Sequence, residues 1–530
     1  MSHTNGVEMS KKEFKDALKE EKEMQKCLKN KNLLVNIIKE IHKEGVVGEE
    51  DSMLALIIKF MLRLVPDAIP TSSNILISDK SGGGKDHLVG QMSKVLLENE
   101  RTYFHRSGVS EKALRYWGMK KGKITKWWKE LGASWDEKVL HIEDPDDELI
   151  NSQVFKVVCS GESKAAIADI EGTQQIHIRG KPILIVTSLE TAIKRESVRR
   201  WDSIRIDTSK ELTRAIVRYN MKLNEGKIKY NPNYRLRMAL NRIIPRKVNI
   251  SFASELTPIF GDTLEVRTQH HKLCDYIKAS AVLHQFQRKT DDKNQIIATW
   301  FDFVYAMYVY LKFGNILGVP LNVDEEEVIF ALARHGKPMK ISELLSMIKR
   351  GSTWIYDHID QWKANNIIIE HYILDEKTNR EIKYLELHSD IKTRIVTNPN
   401  LTFRDNTVFF RKNETIDLLF KKVDDIGGFK QFQNIIKTLN KIRESEKLKP
   451  IAMCAYAYTD ETKNGKIEQK LIGEPEINIL QHDTMKQIAE AIKDGFKYEE
   501  LCNTFGQTII EKLKHDGRII YNDDGGYEFI

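Results

Sequence analysis

The chain has 530 residues, with 83 Lys and Arg against 76 Asp and Glu, and a formal net charge of +7. Hydrophobic residues make up 41% and charged residues 30%, a balance that excludes fibrous and wholly disordered chains and leaves room for two to four folded domains. Cys27, Cys159, Cys274, Cys454 and Cys502 form no CxxC pair, and no run nears the ~18 apolar residues of a membrane span. That excludes a zinc framework, a disulfide scaffold and a spanning helix. It points to a reducing cytoplasm, and the mild positive charge permits nucleic acid as a partner without demanding it.

Residues 1–30 are dense in Lys and Glu and read as a charged arm, either a solvated helix or a partly disordered segment. From Leu33, the residues Leu34, Ile37, Ile38 and Ile41 fall at helical spacing. After Gly45-Val-Val-Gly48, the acids Glu49, Glu50 and Asp51 favour a helix start, and Met53 to Val65 carries an apolar face. Pro66 and Pro70 end it.

A short apolar strand, Ile75 to Ile77, then runs into Ser81-Gly82-Gly83-Gly84-Lys85-Asp86-His87 and a helix with apolar residues through Leu97. Strand, glycine turn and helix start in that order make a phosphate cradle. Glycines let backbone N–H groups approach an anion, the helix N-terminus adds its positive end, and Lys85 adds a full charge. The nucleotide contacts fall on Ser81, Gly82, Gly83, Gly84, Lys85, Asp86 and His87. The pattern G-x-x-x-x-G-K-[ST] is imperfect. It would start at Asp79 and end at Asp86, where a hydroxyl that holds Mg²⁺ is expected. Asp86 either takes over that part, a carboxylate being a good hard ligand, or repels the phosphates.

Tyr103 to Val109 reads as a second strand and loop. Lys120 to Lys129 interleaves lysines with Trp127 and Trp128, which reads either as a grip for single-stranded nucleic acid or as a solvated loop whose tryptophans enter the core. Val139-Leu-His-Ile-Glu143-Asp144 is an apolar strand tipped by two acids, with Glu143 assigned to Mg²⁺ and Asp144 to the attacking water. Ala165–Ile170 and Gln175–Arg179 read as a hairpin. Ile183 to Ser188 reads as a buried parallel strand, whose Thr187 or Ser188 either senses the γ-phosphate or caps a helix. Arg195, Arg199 and Arg200 read either as arginines delivered to a neighbouring subunit's nucleotide or as surface ion-pairing groups. Ser203 to Asp207 is the last strand and Glu211 to Met221 a closing helix.

Gly45-Val-Val-Gly48-Glu49, the glycine turn, Gly108-Val-Ser-Glu-Lys-Ala-Leu114, the acid-tipped strand, Gly180-Lys-Pro-Ile-Leu-Ile-Val-Thr-Ser188 and Arg199-Arg200 fall in a specific order. With Lys272 to Arg288, that order resembles the P-loop ATPase region of the primase-associated, helicase-like replication proteins of phages, plasmids and other mobile elements, over residues 33–315. The resemblance implies an α/β P-loop NTPase core of the additional-strand, AAA+-like type that works on DNA, as a ring or other homo-oligomer alongside replication proteins. Members usually carry Ser or Thr after the P-loop lysine, so Asp86 departs from the pattern. No zinc-ribbon or primase-type catalytic motif accompanies it.

The expected organisation is an arm over 1–30, an ATPase domain over 31–222 and a mostly helical connection over 223–320. In 321–395, helices Glu325–His335, Ile341–Ile348 and Thr353–Asn365 precede strands Ile367–Leu374 and Glu381–Leu387, the order of a winged helix. Its third helix, with Trp354, His358, Gln361, Trp362 and Lys363, is set either against DNA or against protein. Residues 396–480 form a linker region with a polar helix pair around Ile416–Glu446 and a strand pair at Ala452–Tyr458 and Glu468–Ile472. A second winged-helix-like module, 481–530, has helices Thr484–Ile492, Tyr498–Phe505 and Thr508–His515. The functional expectation is an ATP- and Mg²⁺-using DNA motor or remodeller, helicase-like. The alternatives are a nucleotide-gated DNA-binding regulator with little or no hydrolysis, and an interaction scaffold with a degenerate pocket.

Overall fold

A computed structural model describes residues 11–470, apart from 79–81, 98–100, 121–122, 170–171, 189–199, 261–265, much of 314–337, 376–379, 389–400, 403–406, 410–413, 452–454, 460–466 and a few single positions, together with 519–521 and 527–529. The chain divides into two units, Met1–Lys470 and Leu471–Ile530. In the second, Ile519–Tyr521 pairs antiparallel with Tyr527–Phe529; the three helices expected there lie outside the described residues.

The first unit opens with helix α1 (Lys11–Leu28), α2 (Leu33–Lys43) and α3 (Glu50–Met61). Its centre is a five-stranded sheet built from β1 (Ile75–Ser78), β2 (Tyr103–Arg106), β3 (Val139–Glu143), β6 (Ile183–Ser188) and β7 (Asp202–Ile204). Their order is β2-β3-β6-β1-β7, and every pairing is parallel. Parallel strands covered on both faces need apolar runs, and all six residues of β6 are buried. Between β3 and β6 the hairpin β4 (Ser163–Asp169) and β5 (Gly172–Ile178) pairs on itself. Its strands extend further than the alternation of the sequence indicates.

Strand side chains alternate between faces. Phe104, Leu140, Ile142, Leu184 and Val186 point into one cluster with Trp128, Trp135 and Phe155. Trp128 is buried there while Trp127 is 44% exposed. Neighbours on a helix lie about 100° apart, so both cannot face one core. The opposite face of the sheet carries helix α4 (Lys85–Leu96), which follows β1 directly.

Helix α5 (Lys210–Asn224) is capped by Ser209, whose Oγ accepts from the Leu212 N–H at 3.2 Å. Helices α6 (Val266–Leu283) and α7 (Trp300–Phe313) then pack against α3. A buried charge cluster ties them to the sheet. Lys59 of α3 reaches Asp202 of β7 and the Tyr276 hydroxyl of α6, and its Nζ donates to the Ser72 carbonyl at 2.8 Å. Lys272 of α6 meets the other Asp202 oxygen at 2.9 Å. Burial pushes the Asp202 carboxyl up, but Lys272 and Lys59 more than reverse this and hold it ionised at about 2.

Glu49 is buried just before α3, in a left-handed conformation with φ 63°. Its carboxyl accepts from the Asp207 N–H at 2.8 Å and from the Ser52 hydroxyl at 2.9 Å. Burial nevertheless pushes it up to about 8 from the ordinary 4.5. The folded chain thus keeps a proton that the unfolded chain releases, and stability falls as pH rises between those two values. Glu49→Gln removes this dependence. Its melting temperature relative to the parent chain is expected to climb from about pH 5 to about pH 8 and then level off; a flat difference across that range would show that Glu49 does not titrate this way.

Beyond α7, β8 (Met339–Lys340), α8 (Ile341–Met347), α9 (Ser352–Ala364), β9 (Ile368–Asp375) and β10 (Arg380–Leu387) form a module with sheet order β8-β10-β9, all antiparallel. Its core gathers Met339, Ile341, Leu344, Ile355, Ile359, Trp362 and Leu385. The polar helix pair is α10 (Glu414–Asp425) and α11 (Gly428–Ser445), and Ala455–Thr459 pairs antiparallel with Ile467–Lys470. No helix among the described residues is long and apolar enough to cross a membrane.

Candidate functional site

Open parallel sheets bind ligands outside the carboxyl ends of their strands, where the chain switches direction. Here β1 leads through α4 to the far edge strand β2, and the chain returns past β1 to β7. The carboxyl ends of β1, β6 and β3 carry Ser78, Ser188, Thr187 and Glu143, with Ile77 opposite Thr187 and Thr187 opposite Glu143. The glycine turn enters α4 beside them. Gly82 and Gly84 have φ of 79° and 85°, and a Cβ on either would meet nothing within 4 Å among the described residues. The turn needs glycine for its backbone conformation.

Lys85, the first residue of α4, is buried. Asp86 follows, and its Oδ1 accepts from the Thr187 hydroxyl at 2.5 Å and lies 3.3 Å from His141 Nε2. The hydrogen bond from His141 holds the Asp86 carboxyl down at about 2; partial burial opposes it and Thr187 adds to it. Asp86 is thus ionised and tethered to the sheet. Thr187, one of the two hydroxyls expected to sense a phosphate, is engaged by Asp86 and by His141 Nε2 at 3.0 Å.

His141 and its neighbour in register, His105, carry no role in the sequence reading. Both lie on the α4 face, because each alternates with Leu140 or Phe104 on the other side. Their rings stack with centroids 4.6 Å apart. His141 is fully buried, which lowers its basicity, and its Nδ1 lies 2.7 Å from the Tyr103 hydroxyl. His105 Nε2 sits 3.4 Å from Glu143 Oε2. The residue-level signal was a single histidine in each of two strands, and nothing in its own segment sets either one apart.

Asp144 has φ 40°, and its N–H donates to the Thr187 carbonyl at 2.8 Å. His87 turns the other way, with Nε2 3.4 Å from the Gly45 carbonyl. Arg200 is half-buried, and its carbonyl accepts from Asn74 Nδ2 at 3.0 Å. Ser81, Arg195 and Arg199 lie outside the described residues. Asp86 and Glu143 supply hard oxygens that suit Mg²⁺ together with phosphate oxygens and water. The two imidazoles beside them are not donors that Mg²⁺ favours.

In the module beyond α7, the helix assigned to a partner is α9. Its Trp362 is buried and donates from Nε1 to Glu325 Oε1 at 3.0 Å, and its Lys363 pairs with Glu370 at 2.7 Å. Tyr356 and Tyr372 are exposed, with the Lys383 ammonium over both rings. No protein-family model and no curated protein matches the chain.

Proposed function

We propose that the glycine turn before α4 binds the phosphates of ATP and that the chain is an ATP-hydrolysing, DNA-associated motor or remodeller of the helicase-like type. The observation that carries this reading is the position of Lys85, buried at the first residue of α4 after a glycine with φ 85° and followed by Asp86, which bonds the Thr187 that lies opposite Glu143 of β3. The sheet order supports the additional-strand type, since β6 lies between β1 and the acid-tipped β3. The backbone N–H groups of Gly82, Gly83 and Gly84, with the α4 N-terminus and Lys85, would receive the phosphates. Asp86 and Glu143 would hold the divalent cation that accompanies ATP, which the family resemblance gives as Mg²⁺. That cation neutralises charge developing on the phosphates. Asp144 would orient water, and an arginine from a second copy would complete the site. Residues 339–387 run strand, two helices and two strands, the order that follows the first helix of a winged helix, which supports DNA as the partner.

A second reading is favoured by the tether on Asp86. A carboxylate that holds Thr187 and His141 ties up the expected sensor, which suits a nucleotide-gated DNA-binding regulator with slow or no turnover. ATP hydrolysis by the full chain, with and without single-stranded DNA, separates the two. Glu143→Gln is expected to lower DNA-stimulated turnover by ~10²-fold or more while ATP still binds. Binding without turnover in the parent chain would favour the regulator, and no binding at all would remove both.

A further inference from the structure

We infer that Asp86, His105 and His141, with Glu143 beside them, form a binding site for a divalent transition-metal cation of the Mn²⁺, Fe²⁺, Co²⁺ or Zn²⁺ class. One donor atom from each of the first three lies within 4.8 Å of the others. Metal–nitrogen and metal–oxygen bonds to these ligands run ~2.0–2.2 Å, so donors around one ion stand ~3–4 Å apart. The donors therefore stand slightly wider than one ion requires, and small rotations bring them in. The parts that must rotate are the more exposed ones. His141 is locked in the sheet, whereas the side chains of Asp86 and His105 are 37% and 41% exposed. Glu143 Oε2, 3.4 Å from His105 Nε2, is a fourth donor within reach.

The chemistry selects the ion. Imidazole nitrogen suits the later first-row metals, carboxylate oxygen suits both these and Mg²⁺, and a mixed set of two imidazoles and two carboxylates favours the transition ions. The support around the ligands is that of a metal site. Burial disfavours the charged form of His141, and the Tyr103 hydroxyl on Nδ1 fixes the ring and decides which nitrogen carries the proton. With the Thr187 hydroxyl donating to Asp86, His141 presents Nε2–H to Thr187 and Asp86 together and accepts from Tyr103. Binding a cation at Nε2 moves that proton to Nδ1, where it meets the same tyrosine, so no net proton need leave the imidazole. The two stacked imidazoles and the carboxylate lie at the carboxyl edge of the sheet, beyond the apolar residues Ile75, Ile185, Leu88 and Val89 that fill the rest of this face.

The cation site is built from protein donors alone and does not depend on nucleotide; only its service to phosphates rests on the ATP reading. The test is a titration of the chelator-stripped full chain with Co²⁺, without nucleotide, followed by visible absorption and calorimetry. One equivalent is expected to bind with the spectrum of mixed nitrogen and oxygen ligation, and to stay bound in a hundredfold excess of Mg²⁺. His105→Ala and Asp86→Asn are each expected to weaken Co²⁺ binding by ~10- to 100-fold. His105 is exposed enough that His105→Ala should keep the parent melting temperature, so it decides the matter if Asp86→Asn does not fold. Absence of Co²⁺ binding, binding unchanged in His105→Ala, or displacement by Mg²⁺ at equal concentration would each overturn the assignment. A chain that binds Mg²⁺-ATP but no Co²⁺ refutes this site and leaves the nucleotide reading intact. A chain that binds Co²⁺ but no ATP does the reverse.

Discussion

Lys85→Ala is expected to abolish measurable ATP turnover and to weaken ATP binding by at least tenfold. Lys85 sits where the glycine turn becomes helix, so its ammonium shares the anion-attracting end of α4 with the backbone N–H groups. It is buried, which places its charge where water screens little and where each phosphate oxygen feels it strongly. Removing one such preorganised group from a transition state costs ~10²–10³ in rate. The helix itself should survive, because alanine is the best helix former and the glycine cap is untouched. Filter binding or fluorescence titration gives the affinity, and phosphate release gives the rate. Parent-like turnover in Lys85→Ala would place any hydrolysis elsewhere in the chain.

The largest expected effect on stability comes from Asp202→Ala. Asp202 is the sole carboxylate reaching both Lys59 and Lys272 among the described contacts, and it also receives the Tyr276 hydroxyl. Its loss leaves two lysines without their counter-charge, one of them fully buried. Breaking a buried pair this way destabilises by ~3–5 kcal/mol, because the remaining charge stays desolvated. The melting transition should fall by on the order of 10 °C. Lys59→Met should be milder, since Asp202 keeps Lys272 and Tyr276 and the methionine fills much of the space. If both variants melt like the parent chain, the cluster does not hold α3 and α6 to the sheet.

The strands of the sheet were legible because buried parallel strands are short apolar runs between polar turns. Ile75–Ile77, Val139–Ile142 and Ile183–Val186 stand out that way, and Gly82 to Lys85 marks the turn between strand and helix. Lys59 by itself is only a break in the apolar stretch Met53 to Val65. Its partner Asp202 lies 143 residues away, and only the pairing of β7 with β1 brings the two together. The same holds for the candidate cation site. His105 and His141 are unremarkable singly; their meaning comes from the register of β2 against β3 and from Thr187 on a third strand. Local pattern identifies strands, but which side chains converge depends on strand order. The order β2-β3-β6-β1-β7 is not contained in the spacing of any one segment. In residues 481–530 the helices expected from the sequence lie outside the described residues, and Ile519–Tyr521 pairs with Tyr527–Phe529.

The aromatic cluster beneath the site has an optical consequence. Trp117 and Trp128 each lie near Trp135, with ring centroids 5.0 and 5.1 Å apart, and Phe104 packs edge-on against all three. Indoles held so close at fixed tilt couple their electronic transitions, and such a set gives ultraviolet circular dichroism that isolated tryptophans lack. Phe104 belongs to β2, whose next residue is His105, and Leu140 of the same cluster precedes His141 on β3. A ligand that draws the two histidines together pulls on the same two strands from the opposite face. The chain therefore carries a label-free reporter, one residue removed from the groups whose movement it would register.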